Sequence, residues 1–485
     1  MTGGWRTLAS RWLLAGSSSA WMASFLIHLS LVLALSWLVF AQYRPPSLGM
    51  ISAALEKAPI DDVLDLDTEA LVVATGGSSD RRAAPHGQAA GDAPLATTAL
   101  VRVPQWQPWS DSGERETAPV AETIGQPLLQ RGGGFDGRAA GSRRALALAG
   151  GGSAASEAAV ERGLAWLAAH QWQDGGWRFN LAELPSCHGA CRNSGNFEST
   201  TASTGLAILC FLGAGYTPQE GPYQETVARG LYYLSGRMIL TSFGGDLRDG
   251  VAGTMYAHAI ATLALCEAYA MTGDENLAGP AQAAIDFIVN AQHEKGGWRY
   301  FPGEPGDTTV TGWQVAALKS GLLANLKIPY EVWRKVSSFL DSVQLLRGAA
   351  YGYQGPSQST LATTAIGLYG RMMLGWPRDY RPLAKGMARV AAQKPSQTHM
   401  YFNYYATMIL HYYGGKGWDR WNARMREYLV KNQATVGHET GSWYFEEPHS
   451  HRGGRLYTTT LAIMTLEVYY RYMPLYQDAM IERAP

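Results

Sequence analysis

The chain has 485 residues, with 40 basic and 40 acidic side chains, 16 Trp, 25 Tyr, 55 Gly and 4 Cys. A formal net charge of zero excludes a general nucleic-acid binder, which needs a basic face. Four cysteines in so long a chain exclude a disulfide-held miniprotein.

Residues 1–20 read as a short cytoplasmic segment. From Trp12 to Tyr43 there is no Lys, Arg, Asp or Glu, and Trp21 to Ala41 reads WMASFLIHLSLVLALSWLVFA. That matches the roughly 20 apolar residues of a transmembrane helix, so a single span is expected over 21–41. Its apolar run is longer than the core of a cleaved signal peptide. Arg6 and Arg11 precede it, while Arg44 and then Asp61, Asp62, Asp65, Asp67 and Glu69 follow. The positive-inside bias places the bulk of the chain outside the cytoplasmic membrane, in the periplasm or its equivalent. Residues 42–155 are rich in Ala, Gly, Pro, Ser and Thr. Too little apolar surface is present to offset ordering entropy, so a disordered linker is expected.

The aromatic residues gather beyond this point: Tyr43 alone among the tyrosines precedes residue 155, and 10 of the 16 Trp follow it. Over 156–476 one pattern recurs. The segment RGLAWLAAHQWQDGGW carries Trp166, Leu167, Gln171, Gly175 and Trp177, and AAIDFIVNAQHEKGGW repeats the spacing with Phe287, Ile288, Gln292, Gly296 and Trp298. A third copy runs Phe339, Leu340, Gln344 and Gly348, with Ala350 where the Trp should stand. A fourth runs Tyr428, Leu429 and Gln433 to Trp443 after an insertion, and weaker copies begin at Arg229 and Lys385. Between them lie six stretches apolar all round, such as TTASTGLAILCFLGAG, as buried helices are. Six outer amphipathic and six inner apolar helices predict an all-α fold, an α6/α6 toroid.

The run Arg162, Gly163, Trp166, Leu167, Gln171, Gly175 and Trp177 resembles the QW repeat of squalene and hopene cyclases and of protein prenyltransferase β-subunits. The likeness covers about residues 157–474, and the whole chain is similar to bacterial membrane-anchored proteins with such repeats. For the cyclases the resemblance implies a D-x-D-D acid motif at the head of an inner helix. Here PGDTTVTGWQVAAL keeps only Asp307. For the prenyltransferases it implies zinc on an Asp, a Cys two residues on and a distant His. Asp307 is kept, but Thr309 and Thr458 stand at the other two positions, and threonine is a poor zinc ligand. Neither activity is therefore expected, and no cofactor or metal.

The expected role is a tethered binding module that takes an apolar or glycan ligand in an aromatic cavity. The alternatives are a lyase-, hydrolase- or cyclase-like enzyme and a structural envelope scaffold. Candidate catalytic groups are Asp307, His258, His399 and Tyr457, because polar residues at inner-helix heads converge on a toroid's mouth and could move a proton. Candidate ligand contacts are Tyr401, Asn403, Tyr404, Trp313, His438 and Arg455. Cys187 and Cys191 flank His188 in the loop LPSCHGACRNSGNFES. A metal there would need a fourth ligand, so a loop-closing disulfide is expected, with free thiols or a metal as alternatives.

Overall fold

The computed structural model describes residues 135–249, 253–472 and 475. The expected cytoplasmic segment, the span at 21–41 and most of the expected linker lie outside them. No helix among the described residues is long and apolar enough to cross a membrane.

Six helices buried along nearly their whole length form the inside. They are α3 Thr200–Gly213, α5 Met255–Thr272, α7 Thr308–Leu323, α9 Leu361–Met373, α11 Met400–Tyr413 and α13 Ser450–Leu466. Each packs on the next, and α13 returns to α3, which closes a ring. Six helices clad it: α2 Ala154–Ala169, α4 Gln224–Arg237, α6 Glu275–Asn290, α8 Tyr330–Val343, α10 Arg381–Ala391 and α12 Gly415–Asn432. The cladding helices are one-sided. In α10 the buried residues are Leu383, Gly386, Met387 and Val390, the i, i+3, i+4, i+7 stripe of an amphipathic helix. Four of the six inner helices begin at side-chain caps; for example, Ser199 accepts from the Ala202 amide, and Thr360 and Thr363 form a capping box.

The recurring Gln and Trp hold these layers together. The indole N–H groups of Trp177, Trp298 and Trp443 donate to Leu167 O, Ile288 O and Leu429 O at 2.8, 2.8 and 2.7 Å. Their backbone amides donate to Thr204, Thr311 and Thr459 Oγ1 on the next inner helix. The Gln171 amide reaches the following outer helix at Thr226 O, and Gln292 does so at Val332 O. In the third copy the Trp position is filled by Tyr351, one residue beyond the expected Ala350. The Tyr351 amide donates to Thr364 Oγ1 at 3.3 Å. A Cβ on Gly367 would stand 2.1 Å from the Tyr351 ring, so that glycine makes the room.

One helix among the described residues lies outside the twelve expected, and the last expected inner stretch is broken after Leu466. α1 Ala140–Ala149 falls inside the expected linker and packs on α14 Val468–Arg471 at the other end of the described chain. Arginines help anchor this segment. Arg138 is 2 % exposed, and Arg143 pairs with Glu157 and Glu161 at 3.0 and 2.8 Å. A short hairpin, β1 Ile239–Thr241 with β2 Gly244–Asp246, leaves Ile239 and Leu240 exposed.

Candidate functional site

Asp307 stands at the head of α7, fully buried. Its Oδ1 accepts from the amides of Thr309 and Val310 at 2.9 and 2.8 Å and from the Thr309 hydroxyl at 2.7 Å. This is an N-cap. Oδ2 has no hydrogen-bond partner among the described residues. Burial pushes the carboxyl up to about 6, against the pull of its cap bonds and Arg299. Tyrosines surround it: Tyr256 OH donates to Thr309 Oγ1 at 2.6 Å, and Tyr401 OH reaches Thr309 O at 3.5 Å.

Two of the other three candidate catalytic groups are engaged with backbone. His258 lies in the wall between α5 and α6. Its Nδ1 accepts from the Leu247 amide at 3.1 Å and its Nε2 meets Ala284 O at 3.0 Å, so both nitrogens hold backbone. His399 caps α11, accepting from the Phe402 amide at 3.2 Å. Its ring lies 6.3 Å from His449. Beside that turn Glu447 Oε2 accepts from the Met400 amide, and burial pushes Glu447 up to about 7. Burial, together with the charge of Glu447, also raises Tyr457. Asn403 brackets the backbone of Ser396, accepting from its N–H and donating to its O, both at 2.8 Å.

The axis of the ring is filled. Trp313 stacks on Tyr404 with centroids 5.9 Å apart, and Tyr405 meets the rings of Trp313, Tyr401 and Tyr404 edge-on. A cavity of about 40 Å³ lies near the inner helices' C-terminal ends, lined in part by Arg138, Glu267, Lys319, Tyr404, Tyr412 and Arg471. Glu267 Oε2 pairs with Arg138 at 2.6 Å and Arg471 at 3.1 Å. Lys319 donates to Tyr412 OH at 2.8 Å, and burial lowers it to about 8. The space suits about three waters, and its lining combines four charged side chains with six aromatic ones.

A second assembly joins residues that the sequence leaves apart. Cys187 and Cys191 are free thiols, which corrects the expected disulfide. With His170 and His438 they put four ligand atoms within 4.8 Å of one another. Cys191 Sγ lies 3.3 Å from His170 Nε2 and 3.2 Å from His438 Nδ1, and Cys187 Sγ lies 3.7 Å from the latter. His188, the histidine inside the cysteine loop, is exposed and outside the cluster. The candidate contacts His438 and Arg455 come together here. Arg455 binds Arg192 O, Ser442 Oγ and Asn193 Oδ1, and pairs with Glu439 at 3.0 Å. Sequence reasoning missed His170 because it directly precedes Gln171 of the first repeat and reads as part of that pattern.

Among solved structures, the chain is similar to the type II terpene cyclase MstE from Scytonema. One variant of that cyclase, in complex with its product merosterolic acid A, gives a TM-score of 0.45 at 13 % identity, over 65 % of this chain and 97 % of that one. Another variant, with its substrate geranylgeranyl dihydroxybenzoate, gives 0.45 at 12 % over the same shares. A protein from Actinoplanes gives 0.43 at 16 %, over 65 % of this chain and 99 % of the other. No protein-family model and no curated protein matches the chain.

Proposed function

We propose that the chain is a membrane-tethered, non-catalytic toroid of the bacterial envelope, a scaffold that works through its outer surface. The observation that carries this reading is the filled axis. Ligand pockets for small molecules enclose roughly 300–1,000 Å³, whereas the cavity lined by Glu267, Lys319 and Tyr412 is about 40 Å³. An apolar or glycan ligand in the interior would require the Trp313–Tyr404–Tyr405 stack to move apart. The four groups that a catalytic mouth would bring together serve separate tasks: a helix cap at Asp307, a wall contact at His258, a second cap at His399 and a half-buried ring at Tyr457. The tether belongs to the same proposal. About 100 flexible residues span roughly 50–60 Å, so a ring anchored at 21–41 would stay near the membrane.

One observation favours a second reading, that of a proton-transfer enzyme. Asp307 has a buried Oδ2 without a hydrogen-bond partner among the described residues, and its raised pKa would let it hold a proton near neutrality. Turnover assays with linear polyprenes and with uronate-containing glycans separate the two. The scaffold reading expects no product from either the natural chain or Asp307→Asn. Product that disappears in Asp307→Asn would establish the enzyme instead.

A further inference from the structure

We infer that His170, Cys187, Cys191 and His438 bind one divalent transition-metal ion of the zinc class, and that this ion clasps the first turn of the ring to its last. The inference goes beyond the scaffold reading and does not depend on it.

The geometry suits a tetrahedral ion. Metal–sulfur bonds of about 2.3 Å and metal–nitrogen bonds of about 2.0–2.1 Å put neighbouring sulfur and nitrogen ligands roughly 3.5 Å apart. The observed sulfur–nitrogen separations are 3.2, 3.3 and 3.7 Å. The surroundings orient the ligands as such sites require. His170 Nδ1 lies 2.7 Å from Trp166 O, so the proton sits on Nδ1 and the Nε2 lone pair faces Cys191. The Cys191 amide donates to Cys187 Sγ at 3.4 Å, which holds the two sulfurs on one side of their loop. Glu439, the neighbour of His438, accepts from the Arg192 amide at 2.8 Å and so ties the two ligand-bearing loops together. Four protein ligands complete the shell, which marks a structural site rather than a catalytic one.

The placement gives the ion its task. His170 ends α2, the first outer helix, the cysteines lie between α2 and α3, and His438 follows α12, the last outer helix. Cys191 and His438 are 247 residues apart in the chain. The repeats themselves do not need these residues. The position before each recurring Gln is His170, Ala291, Val343 and Asn432, so histidine occurs there only at the seam. The long loop from Trp177 to Thr200 and the insertion before Trp443 meet at this one point. Binding exchanges the thiol protons for the ion and releases about two protons per ion.

The test uses the full chain purified in detergent without chelator, with metal content read by inductively coupled plasma mass spectrometry. About one zinc-class ion per chain is expected, falling at least about tenfold in His438→Ala and Cys191→Ser and unchanged in His188→Ala. His438 is exposed, so its variant keeps the fold measurable by circular dichroism even where Cys191→Ser does not. Cobalt(II) in place of the native ion should give thiolate charge-transfer and tetrahedral ligand-field bands. Metal-free protein that takes up neither zinc nor cobalt(II), a Cys187–Cys191 disulfide in the intact mass, or a metal content insensitive to His438→Ala would each overturn the assignment.

Discussion

Glu267 carries more of the interior's charge balance than any motif suggests. It is 3 % exposed and faces Arg138 and Arg471, both buried. Burial alone would raise its pKa; the two guanidiniums outweigh burial and hold it below the usual carboxylate range. Glu267→Gln leaves two buried cations under-compensated, and the expected loss is about 3–5 kcal/mol in chemical denaturation. A loss under about 1 kcal/mol would mean that the guanidiniums are paired elsewhere. Glu447 tests the opposite case. Its folded pKa of about 7 lies above the roughly 4.3 of an unfolded Glu. Its contribution is therefore fully present below about pH 4.3 and lost as pH rises through 7, a change of roughly 4 kcal/mol. Glu447→Gln keeps an acceptor for the Met400 amide, so its stability, compared with the natural chain from pH 5 to 8, should lack this decline. An unchanged slope would place the titration on another group.

At the scale of elements, the turn from outer to inner helix is the repeating unit of stability. Gln433 is its seam version. Its Nε2 donates to Ala159 O and Gly441 O, both at 2.8 Å, and its Oε1 accepts from Arg162 at 3.0 and 2.6 Å. Gln433→Ala strands these groups, with an expected cost of about 2–3 kcal/mol. Gln171→Ala, which loses donation to Gly175 O and Thr226 O alone, should cost less. Equal costs by thermal melting would deny the seam its special weight. Helices of this kind are legible in sequence because period and caps are local. The third turn was legible only in part: Tyr351 fills the Trp place one residue late, and the compensating Gly367 is distant in sequence. The α1 segment was illegible for a related reason. Expecting an apolar stripe, one overlooks α1, which is anchored by Arg143 to Glu157 and Glu161.

For the whole molecule, the closed cycle of inner helices followed from counting repeats, whereas the contents of the ring did not. Aromatic abundance suggested an open aromatic chamber; the rings of Trp313, Tyr401, Tyr404 and Tyr405 instead occupy each other's space, and a cavity of about 40 Å³ is lined by Arg138, Lys319 and Arg471 as well as by six aromatic residues. Candidate residues were chosen by their nearness to helix heads, and that criterion selects caps. Asp307 and His399 proved to be caps. The cysteine–histidine cluster joins loops at opposite ends of the ring, beyond the reach of any spacing rule. On the scaffold reading, the interior holds no guest. Native mass spectrometry of the full chain released gently from detergent tests it most directly. The scaffold account predicts the mass of the chain with at most a bound metal ion and no organic adduct; a lipid or glycan retained at one per chain would contradict it.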